Sequence, residues 1–234
     1  MASSISLRVG GLTPLSTTDW PGMLAAVVFC QGCPWRCGYC HNPGLIPARG
    51  DNEIPWEDVL VFLRRRQGLL DAVVFSGGEP TAQAGLLDAM REVRALGFKI
   101  GLHSGGMYPQ RLAAVLPLVD WVGLDVKAPF ADYPRVTGVA GSGERARAGL
   151  LEVVASGVAH EVRTTVHPAL LADAEVVGLA QDLAARGVKH YVIQAFRSQG
   201  CGDEALCQSA VRERPLQDVG AEMAGLFGEF SVRA

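Results

Sequence analysis

The stretch CQGCPWRCGYCHNPG at residues 30–44 places Cys30, Cys33, Cys37 and Cys40 within eleven positions, four of the six cysteines in the chain. Thiols this crowded bind metal, exchange electrons or cross-link. A structural zinc site usually draws on two Cys-x2-Cys knuckles far apart in sequence. Here the pairs Cys30–Cys33 and Cys37–Cys40 have only three residues between them, which cramps four ligands around one tetrahedral ion. With Cys30 set aside, Cys33-x3-Cys37-x2-Cys40 remains. That is three thiolates on one short loop, a spacing at which iron–sulfur cubanes are held. Three protein ligands leave one iron open to a small molecule, as open catalytic metal sites do. Cys30 closes the apolar run LAAVVFC, where cysteine acts as a small hydrophobe, with ligation as the alternative.

Such a loop needs a scaffold. Near-continuous apolar runs at 24–30, 71–76, 98–103, 121–126, 160–166 and 190–196 predict six buried parallel strands. Helical patterns fall between them. Pro55 opens one with Trp56, Val59, Leu60 and Leu63 on one face. Thr81 is the expected cap of the next, which carries Leu86, Leu87, Met90 and Val93. Pro109 begins a short helix ending near Leu116, a further one runs from Ser142 to Gly157, and Asp173 is the expected cap of another that stops before Gly187. Six β/α units with right-handed crossovers give a parallel α/β sheet, either doubly wound or a full or partial barrel. A single domain over 1–234 is expected, with its core at about 20–200, an irregular tail at 201–234 and a last helix at 216–227.

Bulk properties exclude several classes. The net charge is −3, no long block of like charge occurs, and the run Arg64-Arg65-Arg66 suits a helix end, so nucleic acid is not an expected partner. The opening MASSISLRVGG lacks the apolar stretch of a secretion signal, and no run is long enough to span a membrane. A cytoplasmic location is expected, where thiols stay reduced.

The polar and glycine-rich features gather where strands end, which is where α/β folds hold their chemistry. SGGEP (76–80) follows the second strand, HSGG (103–106) the third, and Asp125 and Lys127 the fourth. His167 follows the fifth strand and Gln194 lies on the sixth.

CPWRCGYC resembles the CxxxCxxC signature of the radical S-adenosylmethionine (SAM) superfamily, with Tyr39 as the aromatic residue before the last cysteine. SGGEP resembles that family's GGEP element. TTDWPGMLAAVVFCQGCPWRCGYCHNP resembles the small glycyl-radical activating enzymes, above all those serving anaerobic ribonucleoside-triphosphate reductase. GLDVKAPFADYPRVTG, HEVRTTVHP and YVIQAF extend the likeness over most of the chain.

The resemblance implies a partial (β/α)6 TIM-like barrel with a [4Fe–4S] cluster on Cys33, Cys37 and Cys40. SAM would meet Tyr39 at its adenine and Gly77, Gly78 and Glu79 at its methionine end. Ser104, Asp125 and Lys127 would line its carboxylate and ribose, with Arg163, His167 and Gln194 completing the pocket. A surface pairing with Asp125 is the plain alternative for Lys127. The implied partners are a glycyl-radical enzyme and a flavodoxin- or ferredoxin-type reductant. One departure stands out: His103 occupies a turn where related activases carry an acidic group, so a cation site there is in doubt. His103 is left between a cofactor contact and a satisfied strand-end residue. Cys201 and Cys207 are read as packing residues without a catalytic role, with a thiol relay or a metal ligand in the tail as the alternatives. Other functions compete: an activase of another glycyl-radical enzyme of the pyruvate formate-lyase type, a radical enzyme for a small molecule, and a non-catalytic metal module for interaction or electron transfer. The GGEP element and the Asp-x-Lys stretch argue against the module, because neither is needed to hold metal.

Overall fold

The computed structural model describes residues 7–233. The strands are β1 (Val9–Ser16), β2 (Ala25–Cys30), β3 (Ala72–Gly77), β4 (Lys99–Ser104), β5 (Trp121–Asp125), β6 (Ala159–Val166), β7 (His190–Ala195) and β8 (Glu229–Arg233). They form one sheet in chain order, with β2 to β8 parallel and β1 antiparallel to β2. Among the described residues the edge strands β1 and β8 do not pair, so the barrel is partial.

The helices are α1 (Trp56–Arg64), α2 (Leu86–Ala95), α3 (Pro109–Val115), α4 (Tyr133–Thr137), α5 (Ser142–Ser156), α6 (Asp173–Ala185), α7 (Glu204–Gln208) and α8 (Leu216–Ala221). Alternating strand residues separate two apolar clusters. Val28, Val73 and Phe75 join helix residues such as Val59, Leu63 and Met90 in the main core. Ala25, Val27, Ala72 and Val74 face the other way, where Trp20 stacks on Trp121 at 5.6 Å and plugs the barrel interior. Apolar burial at both faces explains why the central strands read as unbroken hydrophobic runs.

The six expected strands are present within a residue or so of their limits. The ends differ. β1 lies before the expected core, and the tail is ordered into α7, α8 and β8 instead of being irregular. The helix expected over 216–227 stops at Ala221 and resumes as one 3-10 turn, Ala224–Leu226. At Gly220 a Cβ would lie 2.6 Å from Val232 Cγ2, so the backbone there presses directly on β8.

Two expected caps are also corrected. Thr81 is buried in a 3-10 turn, Pro80–Ala82, and α2 starts only after Gly85. Asp173 is the first residue of α6 and not its cap; Ala172 precedes it, and its N–H donates to Glu175 Oε2 at 2.7 Å.

Candidate functional site

The thiol loop leaves β2 and returns beside its own start. Gly32 N–H donates to Leu45 O (2.8 Å) and Cys33 N–H to Ile46 O (3.1 Å), which closes the loop at its neck. Cys40 N–H donates to Cys37 O (3.0 Å) and turns the chain between those two thiols. Arg36 N–H reaches Thr137 O (2.9 Å), anchoring the far side to α4.

The end of β3 lies against this neck. Gly78 N–H donates to Cys30 O and Glu79 N–H to Gly32 O, both at 2.9 Å. A Cβ on Gly78 would sit 2.4 Å from Gly32 O, and one on Gly77 would sit 2.5 Å from Cys30 N. Gly77 also has φ +107°, which disfavours any L side chain. The paired glycines are therefore required for the strand end to touch the loop.

Glu79 is buried at 1% exposure and acts as a hub. Its carboxylate accepts from Thr81 N–H, Thr81 Oγ1, Ser104 Oγ and Gly105 N–H. Burial raises its pKa, and these donors oppose that rise. The SGGEP and HSGG turns are thus one hydrogen-bonded unit.

A cleft of about 180 Å³ opens above these turns. Cys33, Cys37 and Cys40 line it, as do Gly77, Gly78 and Glu79. Burial pushes the Cys33 thiol up to about 12 and also raises Cys37, so ligation must release protons. Cys30 is fully buried and outside the cleft, and burial holds its thiol protonated.

On the opposite wall lie charged groups from β5 and β6. Arg163 Nε donates to Asp125 Oδ1 at 2.9 Å, and Lys127 Nζ lies 3.7 Å from Asp125 Oδ2. Burial alone would raise Asp125, but Arg163 and Lys127 outweigh it and hold the carboxyl below its usual range. Lys127 Nζ also stands 5.8 Å from the ring centroid of the buried Tyr39. Ser104 and Gln194 line the same cleft, and Gln194 Nε2 donates to Thr165 Oγ1 at 2.8 Å.

His103 lines the cleft but has partners of its own. Its Nε2 lies 2.7 Å from Asp19 O and 3.3 Å from Arg163 Nη1, and its Nδ1 lies 3.2 Å from Ser76 Oγ. Nε2–H donating to Asp19 O leaves Nδ1 to accept from the Ser76 hydroxyl. Burial, and then the Arg163 charge, lower its pKa to about 4, so the ring is neutral. These contacts favour the satisfied strand-end reading.

His167 is the expected pocket residue that the cleft does not include. It is fully buried; Ala169 N–H donates to its Nδ1 (3.1 Å), and its Nε2 bonds Leu206 O (2.8 Å). That bond ties the end of β6 to α7. The tail then packs on the thiol loop, with His41 Nε2 bonded to Arg197 O (2.8 Å) and the Gly200 backbone against His41 O. Cys201 Sγ lies 3.7 Å from Gly38 O in this packed segment.

Sequence reasoning missed Trp35 and Tyr133. Trp35 lines the cleft at 1% exposure and packs edge-on to Tyr133 at 5.6 Å. The Tyr133 hydroxyl accepts from Lys127 N–H at 2.9 Å. The available signal was position: Trp35 stands inside the cysteine spacing and Tyr133 six residues past Lys127.

The residues suit a cubane better than a single ion. Cys33, Cys37 and Cys40 line one cleft from one short loop, and a cubane takes each of three closely spaced thiolates on a separate iron. The Trp35 indole N–H is buried without a partner among the described residues, an open donor in the cleft wall. The glycine backbone and the Asp125–Lys127–Arg163 charges suit a zwitterionic amino-acid end such as that of SAM.

Residues 27–193 match the radical SAM superfamily. A Methanocaldococcus jannaschii protein named as a glycyl-radical enzyme activating enzyme is 28% identical over 222 residues, covering 91% of this chain and 90% of its own. The pyruvate formate-lyase-activating enzyme of Clostridium pasteurianum is 32% identical over 170 residues, 70% of either chain. Among solved structures, Streptococcus suis SuiB bound to precursor peptide SuiA superposes with a TM-score of 0.67 at 13% identity, over 89% of this chain and 48% of that one. TYW1 with a lysine-pyruvate adduct gives 0.59 at 14% identity, over 86% and 73%. At these identities the structural likeness concerns the fold, and this chain spans about half the length of SuiB. No helix among the described residues is long and apolar enough to cross a membrane.

Proposed function

This chain belongs to the radical SAM superfamily, and we propose that within it the protein is an activating enzyme that installs a glycyl radical on a partner protein. The observation that carries this reading is the meeting of the three-thiol loop with Gly77, Gly78 and Glu79 in one cleft. Two relatives named as activating enzymes, which this chain matches over most of its length, support it.

Cys33, Cys37 and Cys40 would hold the [4Fe–4S] cluster. The Gly77–Gly78 backbone would receive the methionine end of SAM, with Glu79 and Ser104 fixing the turns beneath it. Asp125, Lys127 and Arg163 would orient its charged groups, while Tyr39 and Gln194 complete the walls. With a cluster and SAM held there and one electron from a reductant, the chemistry supplied would be abstraction of a hydrogen atom from a glycine Cα of the partner. The residues of this chain position the cofactor and exclude water from it.

The likeness of the segment TTDWPGMLAAVVFCQGC to activases of anaerobic ribonucleoside-triphosphate reductase supports that enzyme as partner. The second reading, a pyruvate formate-lyase partner, draws on the 32% identity to the Clostridium protein. The test is anaerobic electron paramagnetic resonance of reconstituted protein, reductant and SAM with each partner in turn. A glycyl-radical doublet on the reductase supports the first reading, and one on the lyase the second. SAM cleavage without either doublet sinks both and redirects the search to a small-molecule substrate.

A further inference from the structure

Cys33 belongs to two hollows. One is the cofactor cleft; the other opens at the loop neck and is lined by Gly32, Cys33, Ala82, Gln83 and Tyr108, among others. Ile46 lines both hollows as well, so Cys33 and Ile46 together form the partition between them. The charge around this hollow is one-sided. Arg8 lines it, and its Nη2 lies 3.8 Å from where a Cβ on Gly32 would stand. Arg111 lies over the Tyr108 ring at 4.9 Å and is fixed by bonds from its Nη1 to Thr81 O and Ala82 O. Among the described residues no carboxylate pairs with Arg8 or Arg111, and no acidic side chain lines the hollow. The chain as a whole carries −3, so this basic spot is local.

The backbone here is rigid. Gln83 Oε1 accepts from Arg8 N–H, and Gln83 Nε2 donates to both Arg8 O and Gln31 O, tying the start of β1 and the neck of the loop to the turn after β3. Arg8 therefore stands on fixed main chain beside the thiol loop.

Resting on the activase reading, we infer that this hollow is the docking surface for the electron donor: a small acidic protein with its redox group near its surface. The chemistry consumes one electron per turnover, and the mouth of the cleft must receive the glycyl-radical partner. A donor on the outer face reaches the cluster past Cys33 without displacing that partner. Electron-transfer contacts are small and transient and depend on complementary charge, which Arg8 in the hollow and Arg111 beside it on Tyr108, neither paired with a carboxylate, provide.

The test uses the reconstituted holoenzyme and flavodoxin as the acidic probe. Calorimetric titration of oxidised flavodoxin reads binding directly, with no turnover. The wild type should bind, with affinity falling steeply as salt rises. Charge reversal in the double variant Arg8→Glu/Arg111→Glu should weaken Kd about tenfold or more. The KM for photoreduced flavodoxin in SAM cleavage should rise in parallel, while dithionite-driven cleavage and iron content stay at wild-type values. Arg8→Gln with Arg111→Gln is the gentler pair and should show the same direction. Wild-type flavodoxin binding in both double variants, or no binding by the wild type, overturns the docking surface. Absence of dithionite-driven cleavage in the wild type would instead count against the activase reading, and the titration still decides the surface.

Discussion

Ser104 Oγ donates to Glu79 Oε1 at 2.8 Å, joining the ends of β4 and β3 beneath the cofactor cleft. Gly105 N–H fills the other carboxylate oxygen at 3.0 Å. Every donor in this cluster points at oxygen. Glu79→Gln replaces one oxygen with an amide NH2 that must face a donor, which leaves a buried group unsatisfied. The expected loss is about 1–3 kcal/mol, or about 2–12 °C in Tm for a chain of this size. A thermal melt of the apoprotein that matches wild type would refute the hub.

The glycine contact at the loop neck makes a paired prediction. Gly78→Ala drives a methyl into backbone atoms of Gly32 and Leu45, 2.4 to 2.9 Å away, that cannot swing aside. A cost of about 1–3 kcal/mol is expected, together with reduced iron uptake on reconstitution. Gly225→Ala, where nothing lies within 4 Å, is the control and should change neither quantity.

The four clustered cysteines should separate into two behaviours. Alanine at Cys33, Cys37 or Cys40 should abolish cluster binding, read as iron and sulfide content. Cys30→Ala should retain full iron and lose about 1 kcal/mol of stability from a buried sulfur. Iron loss in the Cys30 variant would make that thiol a ligand after all.

His103 makes stability depend on acid. Its folded pKa of about 4 lies below the ordinary 6.5, so the folded state binds fewer protons than the unfolded state between those values. Lowering pH through that window therefore favours unfolding, by a few kcal/mol at most, and stability is fully present above about pH 6.5. His103→Gln should flatten this part of the profile in denaturant titrations from pH 7 to 4. An unchanged slope would assign the acid sensitivity elsewhere.

What the sequence made legible follows from burial. β2 to β7 are covered on both faces and so read as apolar runs, and the chemistry-bearing residues sit at their ends where the chain leaves the sheet. β1, with sequence VGGLTPLS, carries two glycines and a proline and is half-exposed, so it shows no strand signal. β8 is five residues long, EFSVR, with no residue fully buried. It is held partly by a distant pair, Arg233 on Glu161, both nitrogen–oxygen contacts at 2.8 Å, which periodicity cannot reveal. Thr81 looked like a helix cap because threonine favours that position, but the Glu79 carboxylate claims its hydroxyl and N–H first. His167 looked like a pocket residue because it follows a strand; its partner, the Leu206 carbonyl, lies 39 residues away in a segment without a pattern of its own.

The tail clasp has a consequence for how the protein is made. His41 meets Arg197 across 156 residues of chain, so the loop holding Cys37 and Cys40 gains its outer cover only when nearly the whole polypeptide has been synthesised. The tail is therefore the last cover laid on this loop, and a chain cut short before it would leave His41 without its carbonyl partner.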